Sequence, residues 1–528
     1  MTSYQLENIR LRAGEAECCG TRYLYSGEGD ENLELKQRRT IVTGALLLSN
    51  IMAGMDGTIV NTALPAITSD LHALQYMGWI VAIFLFGMAV ATPLWSKFGE
   101  HKGNKIAYIS ATSLFAIGAI FQGLAPNITW FIIARAIMGI GAGGMNTIPF
   151  IVFAEIYTNL KKRATVLGLS SACFGTASII GPLLGGWIVD ALSWHWVFYV
   201  NVPIALIAIT IIALFYKNVN KQAAGKPIDY LGATLLVSSL MLILIAVQLI
   251  GVASLPVILG LMIIGGALLW WMVKVDQQAA DPIVPNRLFT NHELVIDFML
   301  FVIIWGSFIA FVIYIPMWAQ GLLGLSALLG GMTQIPGAVT DFLGSELVPF
   351  IQDRWSKYEI VGLGALTIFI SFLGLLLGGQ KSPFWLIMIL GAFEGFGVGL
   401  VFNILQINVQ TDAELRDVPI ATSMGYLMRI LSQTFMSAIY GVILNNALLQ
   451  GIKHHHGITM AMLNKLSNAK TASSLPASLL PEMRHILYNG YRNIIITALT
   501  LITISLVMVV VMWRRNQKQS VKSEERGD

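Results

Sequence analysis

The chain has 528 residues, of which 55% are hydrophobic and only 12% charged, with a mean hydropathy of +0.70. A soluble domain carries about 25% charged residues, so a water-soluble globule is excluded. The net charge of +4 supplies no basic stripe for nucleic acid, and three cysteines, Cys18, Cys19 and Cys173, supply no disulfide framework.

In chain order, the first 39 residues are polar and lack the apolar core of a secretory signal, which predicts a cytoplasmic tail. A hydrocarbon core of about 30 Å takes about 20 apolar residues per helix. Fourteen such stretches follow, expected at about 41–62, 77–95, 106–125, 130–152, 164–190, 195–216, 228–250, 254–275, 293–318, 326–350, 358–379, 383–408, 419–449 and 491–513. Connections after even-numbered helices hold the bases, among them Lys97, Lys102 and Lys105, then Lys162 and Arg163, then Arg354 and Lys357. Short connections after odd-numbered helices hold only Lys381. Because short cytoplasmic loops carry the excess of Lys and Arg, both termini are expected in the cytoplasm, as an even helix count requires. The long connection at about 450–490 escapes that rule by its length and is expected to form an external flap. Within it, adjacent His454, His455 and His456 make a poor metal cage, and no metal site is expected.

Helix 2 ends in Ser96–Lys105 and helix 10 in Pro349–Tyr358, each an apolar helix closed by an acid followed by bases. The acids Glu100 and Asp353 lie 253 residues apart, a spacing that suits two six-helix halves with two helices inserted between them. The expected division is a tail at 1–39, a first half at 40–216, the inserted helices at 217–276, a second half at 277–513 and a tail at 514–528.

Several motifs now line up. Met55-Asp56-Gly57-Thr58-Ile59-Val60-Asn61-Thr62-Ala63-Leu64-Pro65 in helix 1 resembles the signature of the fourteen-helix drug:proton antiporters, the EmrB/QacA-like branch of the major facilitator superfamily. Ser96–Lys105 resembles that superfamily's loop motif between helices 2 and 3, with Glu100 as its acid and with Gly103 and Lys105 matching, whereas Ser96 and Asn104 depart from it. Arg135-Ala136-Ile137-Met138-Gly139-Ile140-Gly141-Ala142-Gly143-Gly144 is similar to the helix 4 motif, and Gly181-Pro182-Leu183-Leu184-Gly185-Gly186 resembles the antiporter motif of exporters. Trp194–Pro203 looks like the family's entry to helix 6. Arg429 matches the arginine of the helix 13 motif, whose glycine partners are Ser432 and Met436 here. The resemblance covers about 41–449. It implies an all-α polytopic major facilitator fold and a multidrug exporter of the cytoplasmic or inner membrane, driven by the proton motive force without a cofactor. The implied partners are small-molecule cargo, protons and membrane lipid, with a periplasmic adaptor protein added in a two-membrane bacterium.

An ionisable residue inside the bilayer costs about 2.5 to 3.5 kcal/mol, so each needs a partner, water or a function. Asp56 lies roughly 22 Å into helix 1 from the inside and Arg135 roughly 8 Å into helix 4 from the outside, which places both at similar depth. The functional reading is a cavity carboxylate for which a proton and cargo compete; the alternative is a static pair that fixes packing. Glu394 of helix 12 and Arg429 of helix 13 coincide near the midplane, as a coupling site or a latch. Asp341 of helix 10 is a second proton or cargo carboxylate, or else lines a wet vestibule. Asp190, Asp297 and Glu346 stand near helix ends, where solvation accounts for them. Glu100 with Lys105, Glu155 with Arg163, and the equivalent Asp353 and Arg354 flank the cytoplasmic ends, as gating charges or as topology signals and caps. Gly181, Pro182, Gly185 and Gly186 allow helix 5 to approach its neighbours closely and to bend.

Other classes fare worse. The sequence has no phosphate loop for an ATP-driven pump and no nucleophile elbow or paired-His helix for a hydrolase, so no enzyme is expected. A dedicated exporter of one metabolite, siderophore or bile-like compound is the alternative transport reading. A membrane receptor or scaffold is the non-transport one.

Overall fold

The computed structural model describes residues 33–157, 159–217, 230–250, 253–277, 286–414, 417–455 and 457–526. Most of the expected N-terminal tail, with Cys18 and Cys19, and His456 lie outside them. Among the described residues the chain is helical, and thirteen helices are long and apolar enough to cross a membrane.

The helices are α1 (Leu33–Asp70), α2 (Met77–Lys102), α3 (Asn104–Gly123), α4 (Ile128–Ile156), α5 (Leu160–Ala191), α6 (Asn201–Phe215), α7 (Tyr230–Gln248), α8 (Leu255–Asp276), α9 (His292–Met317), α10 (Ile335–Ile351), α11 (Lys357–Gly378), α12 (Phe384–Asp412), α13 (Val418–His454) and α14 (Leu480–Arg526). They fall on the fourteen expected stretches. The 15 residues of α6 reach spanning length together with the five-residue helix His195–Tyr199 before it, whereas α10, at 17 residues, is too short to span alone; a six-residue helix, Ala327–Met332, precedes it. The break has a local cause, since Pro336 lacks the N–H that would continue the ladder. Ser326 caps the short helix by accepting from Leu329 N at 3.3 Å.

The packing is repeated. In the first set α1 packs on α5 and α6, α2 on α4, and α3 on α4 and α6. The same pairings recur eight helices later, α9 with α13 and α14, α10 with α12, and α11 with α12 and α14. Helices α7 and α8 pack on each other, and α7 also touches α13. Between the sets, α2 lies along α13, and α5 meets the short helix before α10. The first turn of α1 and the last turn of α14 stand at one end of the bundle, the terminal end; the opposite one is the loop end.

The connection expected at 450–490 is shorter and more ordered than its polarity suggests. Helix α13 runs on to His454 and α14 starts at Leu480. The early start of α14 is stabilised by Met483, Ile486 and Leu487, which bury one face while Glu482 and Arg484 sit on the polar side. Between them Met460–Leu466 and Ala469–Ala472 form two small helices that lie across the loop end.

Candidate functional site

Asp56 and Arg135 meet inside the first helix set. Asp56 is 1% exposed and Arg135 4%, and the guanidinium Nη1 stands 3.7 Å from Asp56 Oδ2. Arg135 Nε also donates to Ile80 O of α2 at 3.4 Å, and its guanidinium lies 4.1 Å from the Phe84 ring centroid. Asp56 Oδ1 accepts from Asn201 Nδ2 of α6 at 3.4 Å, whereas Oδ2 has no hydrogen-bond partner. The pair is therefore ionic contact without a direct hydrogen bond, and one carboxylate oxygen keeps its accepting capacity.

Glycines fix this geometry by carrying α4 tightly between its neighbours. A methyl group on Gly143 would stand 2.8 Å from Met88 O of α2, and one on Gly118 of α3 would stand 2.6 Å from Met138 N of α4. Small residues are how helices approach in a bilayer without a hydrophobic drive. A cavity of about 280 Å³ opens between α1 and α5, lined by Ile51, Met55, Leu169, Cys173 and Thr176; the Asp56 carboxylate turns instead to α4 and α6.

The motif of α5 forms the joint between the two helix sets. Gly181 faces Thr58 and Met55 of α1, Gly185 faces Ile59, and the Pro182 carbonyl packs on Gly331. Gly186 meets the backbone of the short helix before α10, where a methyl would be 2.7 Å from Leu328 N. Asp190, expected only at a solvated end, turns its carboxylate onto that helix, accepting from Ala327 N at 3.2 Å and Leu328 N at 2.9 Å. An N-terminal carboxylate satisfies otherwise orphaned N–H groups and complements the helix dipole.

Further contacts join the sets at the loop end. Gln320, in a π-helical turn after α9, donates to Thr62 O of α1 at 3.1 Å. From the connection before α14, Ser467 Oγ donates to Pro65 O at 3.1 Å, Asn464 Oδ1 accepts from Leu74 N at 3.0 Å, and Lys470 Nζ donates to Asp190 O at 2.6 Å. Where α2 and α13 cross, a methyl on Gly78 would be 2.6 Å from Ser437 O.

At the terminal end the named polar contacts stay within one set, and the expected gating pairs are rearranged. Glu100 is exposed and lies 3.5 Å from Lys97, while Lys105 donates to Ala213 O at 2.5 Å. Glu155 accepts from Asn104 Nδ2 at 3.0 Å and from Tyr216 Oη at 2.5 Å, and among the described residues it forms no ion pair with Arg163. The departure from the motif at Asn104 explains the exchange, because that amide sits at the first turn of α3 where it reaches α4. Gly103 makes the α2–α3 joint, at φ +93°, a conformation glycine alone adopts without strain. Asp353 and Arg354 occupy an exposed turn, and Lys357 does the bridging instead, at 2.8 Å to Glu293 and 2.6 Å to Asp412. Asp297 joins that cluster buried, with Oδ2 unpartnered, so solvation does not account for it.

In the second set the depth coincidence of Glu394 and Arg429 does not become a pair. Among the described residues no ion pair joins them: Glu394 is 2% exposed with Oε1 unpartnered, and Arg429 packs among Trp305, Phe402 and Tyr426. Asp341 on α10 is half-buried and, among the described residues, forms no ion pair with Arg429. Depth along a helix says nothing of the direction in which a side chain leaves it. Asn201, Gln320, Lys357 and Lys470 carry contacts that the sequence reading did not assign to them; of these, Asn201 and Lys357 lay in quoted segments.

Comparison with known proteins completes the assignment. The sequence profile of the Major Facilitator Superfamily matches residues 46–437. Multidrug resistance protein 3 of Bacillus subtilis is 28% identical over 513 residues, covering 93% of this chain and 99% of that protein. The multidrug transporter protein MdtP of the same organism is 30% identical over 421 residues, covering 78% of this chain and 76% of its own. The rubrofusarin-specific efflux pump of Gibberella zeae is 26% identical, with 85% of each chain covered. Among solved structures, the inward-facing, unoccupied bacterial homolog of the human lysosomal transporter Spinster shares the fold at a TM-score of 0.66 and 13% identity, covering 92% of this chain and 98% of its own. The expected recognition, fold class and membrane-transport character thus hold, and the chain belongs to the Major Facilitator Superfamily as a multi-pass membrane transporter.

Proposed function

We propose that the protein is a proton-coupled antiporter that exports small lipophilic or cationic compounds by alternating access, with its terminal end and both termini in the cytoplasm of a cell or inner membrane. The observation that carries this reading is the Asp56–Arg135 pair, buried at the centre of α1 with one carboxylate oxygen still free to accept. Protonation at that oxygen cancels the charge that holds the guanidinium, and a cationic cargo group competes for the same carboxylate. An apolar cavity between α1 and α5 suits a lipophilic cargo body, and the names of the relatives support efflux. Seals at the loop end suit a transporter open toward the cytoplasm. The two repeats are then the rocking units, with α7 and α8 as the insert between them. One charge crossing 100 mV supplies about 2.3 kcal/mol, enough to drive such an exchange.

In inverted membrane vesicles with an imposed pH gradient, adding a lipophilic cation releases protons through the wild type and not through Asp56→Asn. A variant that exchanges at the wild-type rate removes Asp56 from the mechanism.

A further inference from the structure

Arg135 holds more donors than its surroundings supply oxygen to meet. A guanidinium carries five, and among the described residues Ile80 O is the one oxygen hydrogen-bonded to it, through Nε. Nη1 stands 3.9 Å from the sulfur of Met138, one turn along α4. The same sulfur accepts from Gln122 Nε2 of α3 at 2.7 Å. Guanidinium and amide thus meet on one thioether. The two helices are pressed together beside it, since a methyl group on Gly118 of α3 would stand 2.6 Å from Met138 N.

Gln122 sits fully buried in the last turn of α3, and half of its amide is unused. Nε2 also donates to Gly118 O at 3.4 Å, while Oε1 has no hydrogen-bond partner among the described residues. The neighbours fix that orientation, because the reverse would set the amide oxygen against a carbonyl oxygen and a sulfur, neither of which donates. A buried acceptor left unpartnered lowers stability, so its retention calls for a donor that reaches it in another state.

We propose that Gln122 is the second seat of Arg135: when a proton neutralises Asp56, the guanidinium turns from the carboxyl group to Gln122 Oε1. This rests on the proton-coupled reading above and adds to it the residue that positions the cation once the carboxyl is neutral. The order of seats follows from charge, since a carboxylate attracts a guanidinium more strongly than an amide oxygen does, and a protonated carboxyl group does not. Met138 is a flexible thioether that yields its place, and the last torsion of a glutamine is broad enough for Oε1 to swing inward. The other groups that face the pair are uncharged: Ile80 O and Phe84 from α2, Asn201 from α6 and, beside Asp56, Gly181 from α5. Asp56 is therefore the titrating group that triggers the move.

The test is a double-mutant cycle on thermal unfolding of the full chain in detergent, with Asp56→Asn standing for the neutral carboxyl group. Gln122→Leu raises the unfolding constant about tenfold more in the Asp56→Asn chain than in the wild type, as expected when a hydrogen bond to a charged group is lost in one background only. Gln122→Met, which keeps the length of the side chain without the acceptor, gives the same difference where leucine packs badly. Equal effects in the two backgrounds overturn the seat. In inverted vesicles, the pH at which a lipophilic cation releases protons half-maximally falls by about one unit in Gln122→Leu, a tenfold weaker hold on the proton. Slower exchange with an unmoved midpoint reduces Gln122 to packing and also overturns the proposal. If Asp56→Asn exchanges protons at the wild-type rate, coupling through Asp56 fails, while the unfolding cycle, which requires no proton movement, still decides the seat.

Discussion

Replacing Gly186 by alanine places a methyl group 2.7 Å from Leu328 N and 2.8 Å from Ala327 O, where real Cβ atoms do not sit. Both obstacles are backbone, and the two N–H groups at that helix start are fixed by the Asp190 carboxylate at 3.2 and 2.9 Å. The helix cannot retreat without stretching those bonds. Overpacking of this kind costs about 1 to 3 kcal/mol. The cost falls only on the state in which the loop end is closed, so the open fraction rises about 5- to 150-fold. A reporter is available at Ser69, which is 3% exposed and lies 2.9 Å from Thr471 of the connection before α14. In a chain with the native cysteines changed to serine, Ser69→Cys is labelled by a membrane-impermeant maleimide at a rate proportional to the open fraction. Gly186→Ala raises that rate by the stated factor. An unchanged rate, with or without a lower thermal midpoint, refutes the reasoning and reduces the glycine to a packing residue.

Three further outcomes follow from the same structure. Asp190→Asn weakens the cap on the helix before α10 by about 1 kcal/mol, which increases Ser69→Cys labelling about fivefold; a change below twofold counts against the cap. Arg135→Ala strands the buried Asp56 carboxylate and destabilises the protein by about 3 to 5 kcal/mol in denaturation assays, and adding Asp56→Asn restores most of that loss. A single variant as stable as wild type contradicts the buried pair. Lys357→Ala leaves Glu293, Asp297 and Asp412 without their shared cation and costs about 2 kcal/mol, part of which Asp412→Asn recovers in the same assay.

The spans and the Asp56–Arg135 meeting were legible for a simple reason. Apolar length fixes helix position, and two charges at equal depth on packed helices have few places to go. The same depth reasoning fails for Glu394 and Arg429, because azimuth is set by how α12 and α13 rotate against α9 and α10. Lys357 bridges ends of three different helices, so no local window contains its partners. The order in the connection before α14 was hidden by composition. Its residues are polar, but Leu463, Asn464, Leu466 and Ser467 are buried against the loop end, a fate that only tertiary contact decides.

The two small helices before α14 are anchored at both ends in the second helix set yet hydrogen-bond to α1 and α5 of the first. Their grip consists of a few hydroxyl, amide and ammonium contacts to backbone groups, each worth about 0.5 to 1.5 kcal/mol net. The sum is a few kcal/mol, the same scale as one charge falling through the membrane potential. In the exchange proposed above, a fastener of that strength stays shut between cycles and springs open under ordinary working load, with no separate energy source needed to undo it.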